Sequence, residues 1–168
     1  MLIEQWTSGR DISDHYGIQA SIDITLEAFP QERELPFVLV HLRRFHCLQT
    51  TSGFGDDEVA FRLTAKTARG EFATLSTEEV EDVSDGTVHG FDLTPLRFGD
   101  PGDELSLSIE GRELDDLSAD DLLGRARLVF DRDALLALFE QGGARLGFPL
   151  LRGDGSEYAV EIELQFGS

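Results

Sequence analysis

Hydrophobic and polar residues alternate along much of this 168-residue chain. Because successive side chains of a β-strand point to opposite faces, a two-residue period predicts strands that are buried on one side. Phe37 to Phe45 begins apolar on both faces and is predicted to be a central strand. The alternation is regular in Ile18 to Leu26, Val59 to Ala65, Leu105 to Ile109, Ala126 to Phe130 and Tyr158 to Phe166, and weaker in 71–75 and 87–93.

Turn-forming residues separate these predicted strands. Glycine, aspartate, serine and proline cluster in 52–56, 85–86, 99–103 and 152–156, and such clusters mark reversals of the chain. One short helix is predicted near the C-terminus, because Asp131 is a suitable N-cap and Gly142 with Gly143 would end the helix. The pattern therefore predicts an all-β protein, an antiparallel β-sandwich of about eight strands.

A chain of 168 residues is expected to form one domain that buries a core of its own. We interpret residues 1–16 as an N-terminal arm and residues 17–168 as a single β-sandwich domain. The inward positions of the predicted strands define a predicted core that consists of Ile22, Val40, Phe61, Leu107, Leu128 and Ile162.

Acidic residues far outnumber basic ones. The chain has 33 Asp and Glu against 14 Lys and Arg, which gives a formal net charge of -19. A field of this sign repels phosphate backbones, so nucleic-acid binding is excluded as a general function, whereas cations and basic partners remain compatible. Lys66 is the sole lysine, and this composition is also typical of a salt-adapted acidic surface. Arg43-Arg44 and Arg125/Arg127 are the local basic foci, and we predict that they pair with neighbouring acids or form a binding face.

The net charge leads to a prediction about salt. Like charges at this density repel one another, and the screening length falls from about 10 Å at 0.1 M salt to about 3 Å at 1 M. We therefore expect the melting temperature to rise when sodium chloride is raised over this range. A flat or falling melting curve would mean that the acids are already paired with arginine or with bound cations.

The chain offers no catalytic constellation. Cys47 is the lone cysteine, in a predicted strand, and is expected to be a buried structural thiol. His41 and His46 are an odd number of residues apart on one predicted strand, so they are expected to face opposite sides, and no zinc site is predicted. No nucleophile elbow, phosphate loop or dinucleotide fingerprint is present. We therefore predict that the protein is not an enzyme.

One loop concentrates carboxylates. Between the alternating strand at Leu105 and the strand that ends at Phe130 lie five acids and no lysine: Glu113, Asp115, Asp116, Asp120 and Asp121. A flexible loop of carboxylate oxygens suits a hard cation such as calcium. The same residues are also compatible with a plain acidic turn in an acidic protein, and the sequence leaves both interpretations open.

Two segments resemble the loop motifs of C2 domains. In that family a strand leads into a loop that ends Gly-x-x-Asp-Pro-Tyr-Val, and Thr51 to Val59 occupies the matching place, with Asp56 as the loop aspartate. The family later has Asp-x-Asp, a spacer, and Asp-hydrophobic-hydrophobic-Gly. Here Glu113 and Asp115 take the first pair, and Asp121 precedes Leu122-Leu123-Gly124.

The resemblance covers roughly residues 37–166 and implies an eight-stranded C2-like β-sandwich with a calcium site at one end. The implied ligands are Asp56, Glu113, Asp115 and Asp121. The chain departs from the family pattern at three points: Thr50 is neutral where calcium-binding members carry an aspartate, Asp57-Glu58 replaces Pro-Tyr, and Glu113 replaces an aspartate. If the resemblance holds, the chain is a divergent member of this group.

Two functional hypotheses follow from the sequence. In the first, the chain is a non-catalytic C2-like module whose acidic loops bind Ca²⁺ and recognise a partner; a protein partner is expected, and a phospholipid only through calcium. In the second, it is a metal-free structural or assembly component. No signal peptide and no apolar run of membrane-spanning length are visible. We therefore expect a cytoplasmic protein.

Overall fold

The computed structural model describes residues 34–51, 56–114, 121–153 and 155–167, and it confirms an antiparallel β-sandwich with one short helix. The predicted arm, the predicted strand at Ile18–Leu26 and the core candidate Ile22 lie outside the described residues. Within those ranges the elements are β1 (Val38–Gln49), β2 (Asp57–Thr67), β3 (Phe72–Ser76), β4 (Val80–Val83), β5 (Val88–Gly90), β6 (Leu96–Phe98), β7 (Glu104–Glu113), β8 (Asp121–Asp131), α1 (Arg132–Glu140), β9 (Ala144–Gly147), β10 (Leu151–Gly153) and β11 (Ser156–Phe166).

The strand count corrects the prediction, since the described part of the chain contains eleven strands rather than eight. The four that sequence reasoning missed, β4, β6, β9 and β10, have three or four residues each. Segments this short show too few alternations for a period to be recognised. The seven longer predictions that fall within the described residues each coincide with a strand.

The strands form two sheets. Sheet A has six strands in the order β10-β11-β1-β5, with β6 also paired to β1 and β9 also paired to β11. Sheet B has five strands in the order β3-β2-β7-β8, with β4 also paired to β2. The chain passes from sheet A to sheet B between β1 and β2, so this connection lies at one end of the sandwich. The connection between β7 and β8 lies at that same end, because Val59 of β2 is in register with Glu113 of β7.

The inner faces of the two sheets make the core. Val40, Phe61, Leu107 and Ile162 are at most 1% exposed, which confirms four of the predicted core positions. Leu128 is only partly buried, because β8 lies at the edge of sheet B and has one neighbouring strand along most of its length. The Phe45 and Phe61 rings lie 5.0 Å apart between their centroids across the two sheets, a separation typical of favourable aromatic pairs.

The predicted placement of two histidines is wrong because β1 is irregular. The register between β1 and β11 shifts between Leu42 and Arg44. Buried residues of β1 are therefore even-numbered before the shift and odd-numbered after it. His41 and His46 consequently lie on the same outward face of sheet A. Burial, followed by the nearby Arg43 guanidinium, lowers the pKa of His41, which favours a neutral imidazole there.

The helix forms where the sequence predicted it. The Asp131 carboxylate accepts a hydrogen bond of 2.9 Å from the Ala134 backbone N–H, which satisfies one of the unpaired donors of the first turn. The chain then leaves the helix through Gly142, whose φ of 82° lies in the left-handed region that glycine tolerates. Leu135 is the fully buried residue of this helix and anchors it to the core.

Candidate functional site

Two threonines tie the loops together at the end of the sandwich where β1 passes to β2, which we call the loop end. The Thr51 backbone N–H lies 3.0 Å from Asp57 Oδ2, and its hydroxyl lies 2.8 Å from Asp57 Oδ1 and 3.2 Å from Glu113 Oε1. Since a hydroxyl has one proton, Thr51 donates to one of these carboxylates at a time. The Thr50 N–H donates to Asp85 Oδ1 over 2.8 Å. The β1–β2, β4–β5 and β7–β8 connections are thereby joined.

Asp57 is a buried carboxylate with several protein donors. Its side chain belongs to a residue that is 2% exposed, and the Tyr158 hydroxyl donates a hydrogen bond of 2.5 Å to Asp57 Oδ2. Burial and the Asp57 carboxylate raise the pKa of Tyr158, so this phenol stays protonated and remains a donor. These bonds occupy the Asp57 oxygens inside the protein. Asp57 therefore acts as a clamp at the base of the loop rather than as an available cation ligand.

Cys47 lies beside this clamp. The residue is fully buried, as the sequence predicted. Burial raises the pKa of its thiol, although the hydrogen bond with Tyr158 acts in the opposite direction. A protonated, inaccessible thiol is a poor nucleophile, which agrees with a packing role.

The four predicted metal ligands are placed differently. Glu113 and Asp121 are direct cross-strand neighbours in the β7–β8 pairing, so the structure brings these two together. Asp56 is exposed and immediately precedes β2, while Asp115 lies outside the described residues. Among the residues that the structure describes, no group of three or more His, Cys, Asp or Glu is arranged to hold a metal ion.

Sequence reasoning missed Thr51, Asp57 and Tyr158 as a connected unit. One signal was available, because Asp57 shares the odd-numbered, inward face of β2 with Val59 and Phe61. An acid at an inward position requires a buried donor. The donor itself had no local signal, since Tyr158 is separated from Asp57 by 101 residues.

The arginines on the sheet faces pair with acids, as predicted for the basic foci. On sheet A, Arg43 Nε lies 2.5 Å from Glu163 Oε2 and Arg44 Nη2 lies 2.9 Å from Glu161 Oε2. Hydrogen bonding from Gln165 and then from Arg43 lowers the pKa of Glu163. On sheet B, Arg125 Nε lies 2.6 Å from Glu110 Oε2. Hydrogen bonds from Arg112 and Arg125 lower the pKa of that glutamate.

Comparisons with known proteins agree on the architecture. No protein-family model matches the sequence, and no curated protein matches it. Among solved structures, the first C2 domain of plant extended synaptotagmin 1 is similar at 16% identity with a TM-score of 0.52; the match covers 81% of this chain and 99% of that one. CC2D1B, described as coordinating ESCRT-III activity during reformation of the nuclear envelope, matches at 12% identity and a TM-score of 0.52, over 82% of this chain and 57% of that one.

A third similar structure is human GIVD cytosolic phospholipase A2, at 14% identity and a TM-score of 0.50. The match covers 79% of this chain but 17% of the phospholipase, so it carries no statement about catalysis. In the described part of the chain, no helix combines the length and the apolar character that a membrane span requires. At these identities the likeness establishes architecture alone. The described residues therefore have the C2-like β-sandwich fold that the two loop motifs predicted.

Proposed function

We propose that this chain is a non-catalytic binding module that recognises a partner protein and holds a calcium ion at its loop end. The proposed ligands are Asp56, Glu113, Asp115 and Asp121. The observation that carries the proposal is the meeting of Glu113 and Asp121 across neighbouring strands, at the end where Thr51 joins Glu113 to the start of β2. The C2-like fold supports a role in binding rather than in catalysis.

The electrostatics of this arrangement favour a cation. Two carboxylates directly opposite each other on paired strands repel, and a calcium ion between them would convert that repulsion into attraction. Calcium takes six to eight oxygen ligands from flexible loops, which backbone carbonyls and water can complete. Neutralising this end would then allow an anionic partner, including a phospholipid headgroup, to approach a chain that otherwise repels it.

A metal-free module is the second candidate, and the Asp57 clamp favours it. The base of the loop is closed by hydrogen bonds from Thr51 and Tyr158, so the loop end has an anchor that needs no ion. The neutral Thr50, which bonds Asp85, also stands where a further ligand would be required. In this alternative the protein contacts its partner through its sheet faces. A cytoplasmic location stays a prediction from the sequence under both candidates.

Thermal melting in calcium distinguishes the two candidates. We expect millimolar calcium chloride to stabilise the protein beyond sodium chloride of matched ionic strength. By mass action, a hundredfold excess of calcium over its Kd adds about 2.7 kcal/mol to the free energy of unfolding. The measurement is the melting temperature in the two salts, followed by a calcium titration to obtain the Kd.

Two double variants provide the controls. Asp115→Asn with Asp121→Asn should lose the excess stabilisation, because two proposed ligands become neutral. Glu71→Gln with Asp103→Asn makes the same charge change at exposed positions on the opposite end of the sandwich and should keep it. Equal responses of the wild type to calcium and sodium, or a response that survives the first double variant, would favour the metal-free module.

A further inference from the structure

The outer face of sheet A contains a trough with almost no side chains on its floor. One row across four strands runs Gly90, Arg44, Glu161 and Gly147, with each residue in register with the next. Both glycines open onto free space: a Cβ built on Gly147 meets nothing within 4 Å, and one built on Gly90 meets only the Arg43 carbonyl oxygen at 3.9 Å. Neither glycine has a positive φ, so backbone conformation does not require glycine at these positions.

The adjacent row deepens the trough and makes it apolar. Val88 is in register with His46, and His46 with Ala159. These residues border a depression of about 310 Å³ that also contacts Phe148. The Val88 side chain is 56% exposed although it is aliphatic. A volume at the lower end of ligand sites, about 300–1,000 Å³, suits one apolar side chain of an extended segment.

Arginines rim this trough. Among the described residues, the outer face of sheet A carries more guanidinium groups than carboxylates; the arginines are Arg43, Arg44, Arg97, Arg145 and Arg152, and the glutamates are Glu157, Glu161 and Glu163. The whole chain, by contrast, has a net charge of -19. The face is therefore a positive area on a negative protein, and it attracts carboxylates that the rest of the surface repels.

The arginines are also held in place. Arg44 is hydrogen-bonded to Glu161 by two of its nitrogens, yet 53% of its side chain is exposed. Arg145 lies 3.7 Å from Glu163 and is 65% exposed. A guanidinium presents five N–H donors in a fixed fork, so each arginine retains donors for a second carboxylate. Side chains that are already positioned lose little conformational entropy when a partner binds.

We propose that this trough binds an extended acidic segment of a partner protein. In this arrangement an apolar side chain of the segment enters the depression beside Val88, and flanking carboxylates contact Arg44 and Arg145. The inference rests on the chain being a binding module, but it uses residues on a sheet face and not those of the loop end. It needs no calcium, so it can fail or succeed independently of the calcium site.

A displayed peptide library tests the trough directly. A random twelve-residue phage library is selected on the wild-type protein in EDTA, and the enriched peptides are synthesised for affinity measurement. We expect net-negative sequences with an apolar residue between acids. Their binding should weaken about tenfold or more in Gly147→Leu, which fills the trough, and in Arg145→Glu, which reverses the rim charge. Gly99→Leu, at another glycine with open space around it, should bind like the wild type.

The outcomes separate the possible occupants. Each variant is first checked for wild-type melting, and Arg145→Glu changes an exposed side chain, so a folded probe of the rim remains if Gly147→Leu does not fold. Enrichment of neutral or basic peptides, or no enrichment above background, overturns the proposal. So does binding that Gly147→Leu leaves intact. Binding to phosphatidylserine vesicles, or concentration-dependent dimerisation, that Gly147→Leu abolishes would assign the face to lipid or to a second copy and would also overturn it.

Discussion

Asp57→Ala is expected to lower the free energy of unfolding by about 3–5 kcal/mol, because each buried donor left without an acceptor costs about 1–3 kcal/mol. The substitution strands the Tyr158 hydroxyl and the Thr51 N–H inside the protein. The neighbouring Asp56 is exposed, and Asp56→Ala should change the stability by less than about 0.5 kcal/mol. Urea denaturation in EDTA measures both.

Tyr158→Phe completes this test. A double-mutant cycle between Asp57→Ala and Tyr158→Phe isolates the energy of their mutual hydrogen bond, and we expect the two losses to be less than additive. The same variants distinguish clamp from ligand, since Asp56→Ala should lose the calcium response while keeping its stability in EDTA. Equal stability of the Asp56 and Asp57 variants would contradict the assignment of Asp57 as the clamp.

The sequence predicted the architecture because the relevant signals are local. Alternation depends on neighbouring residues, and β2, β7 and β11 are long and regular enough to show it. The helix cap at Asp131 is also local, since its acceptor and donor are three residues apart. Such features are encoded within a few residues and can be recognised without knowing which strands pair.

The errors arise where one residue changes the parity of a strand or where partners are distant. The register shift in β1 moves His46 to the face of His41, and nothing in that stretch announces the extra residue. Assigning Asp56 as the loop aspartate left the inward position of its neighbour Asp57 unconsidered. The clamp itself joins residues of β2 and β11, which only the fold brings together.

The candidate site is predicted less completely than the fold for a related reason. The order of the two loop motifs correctly placed Glu113 and Asp121 at one end, because the motifs flank strands that pair. Whether carboxylates converge on one ion depends on loop conformation, which carries no periodic signal. Similarly, the trough on sheet A depends on Gly90 and Gly147, which lie in two short strands that join the sheet from different parts of the chain.

Leu107→Ala should lower the free energy of unfolding by about 2–5 kcal/mol, the range for truncating a buried leucine. Leu107 is fully buried on β7, between Ala65 of β2 and Leu128 of β8. Strands on both sides restrain the backbone, so the cavity left by the missing atoms cannot readily collapse. The loss should appear as a lower urea midpoint with an unchanged m-value.

Leu128→Ala is the matched control, since it removes the same atoms from the cross-strand neighbour. Leu128 is partly buried at the edge of sheet B, so it loses less contact, and water can fill part of the space. We expect its cost to be less than half that of Leu107→Ala. Equal costs would mean that the edge strand is packed as tightly as the centre of the sheet. In that case the outer flank of β8 would have to be covered in solution by further protein.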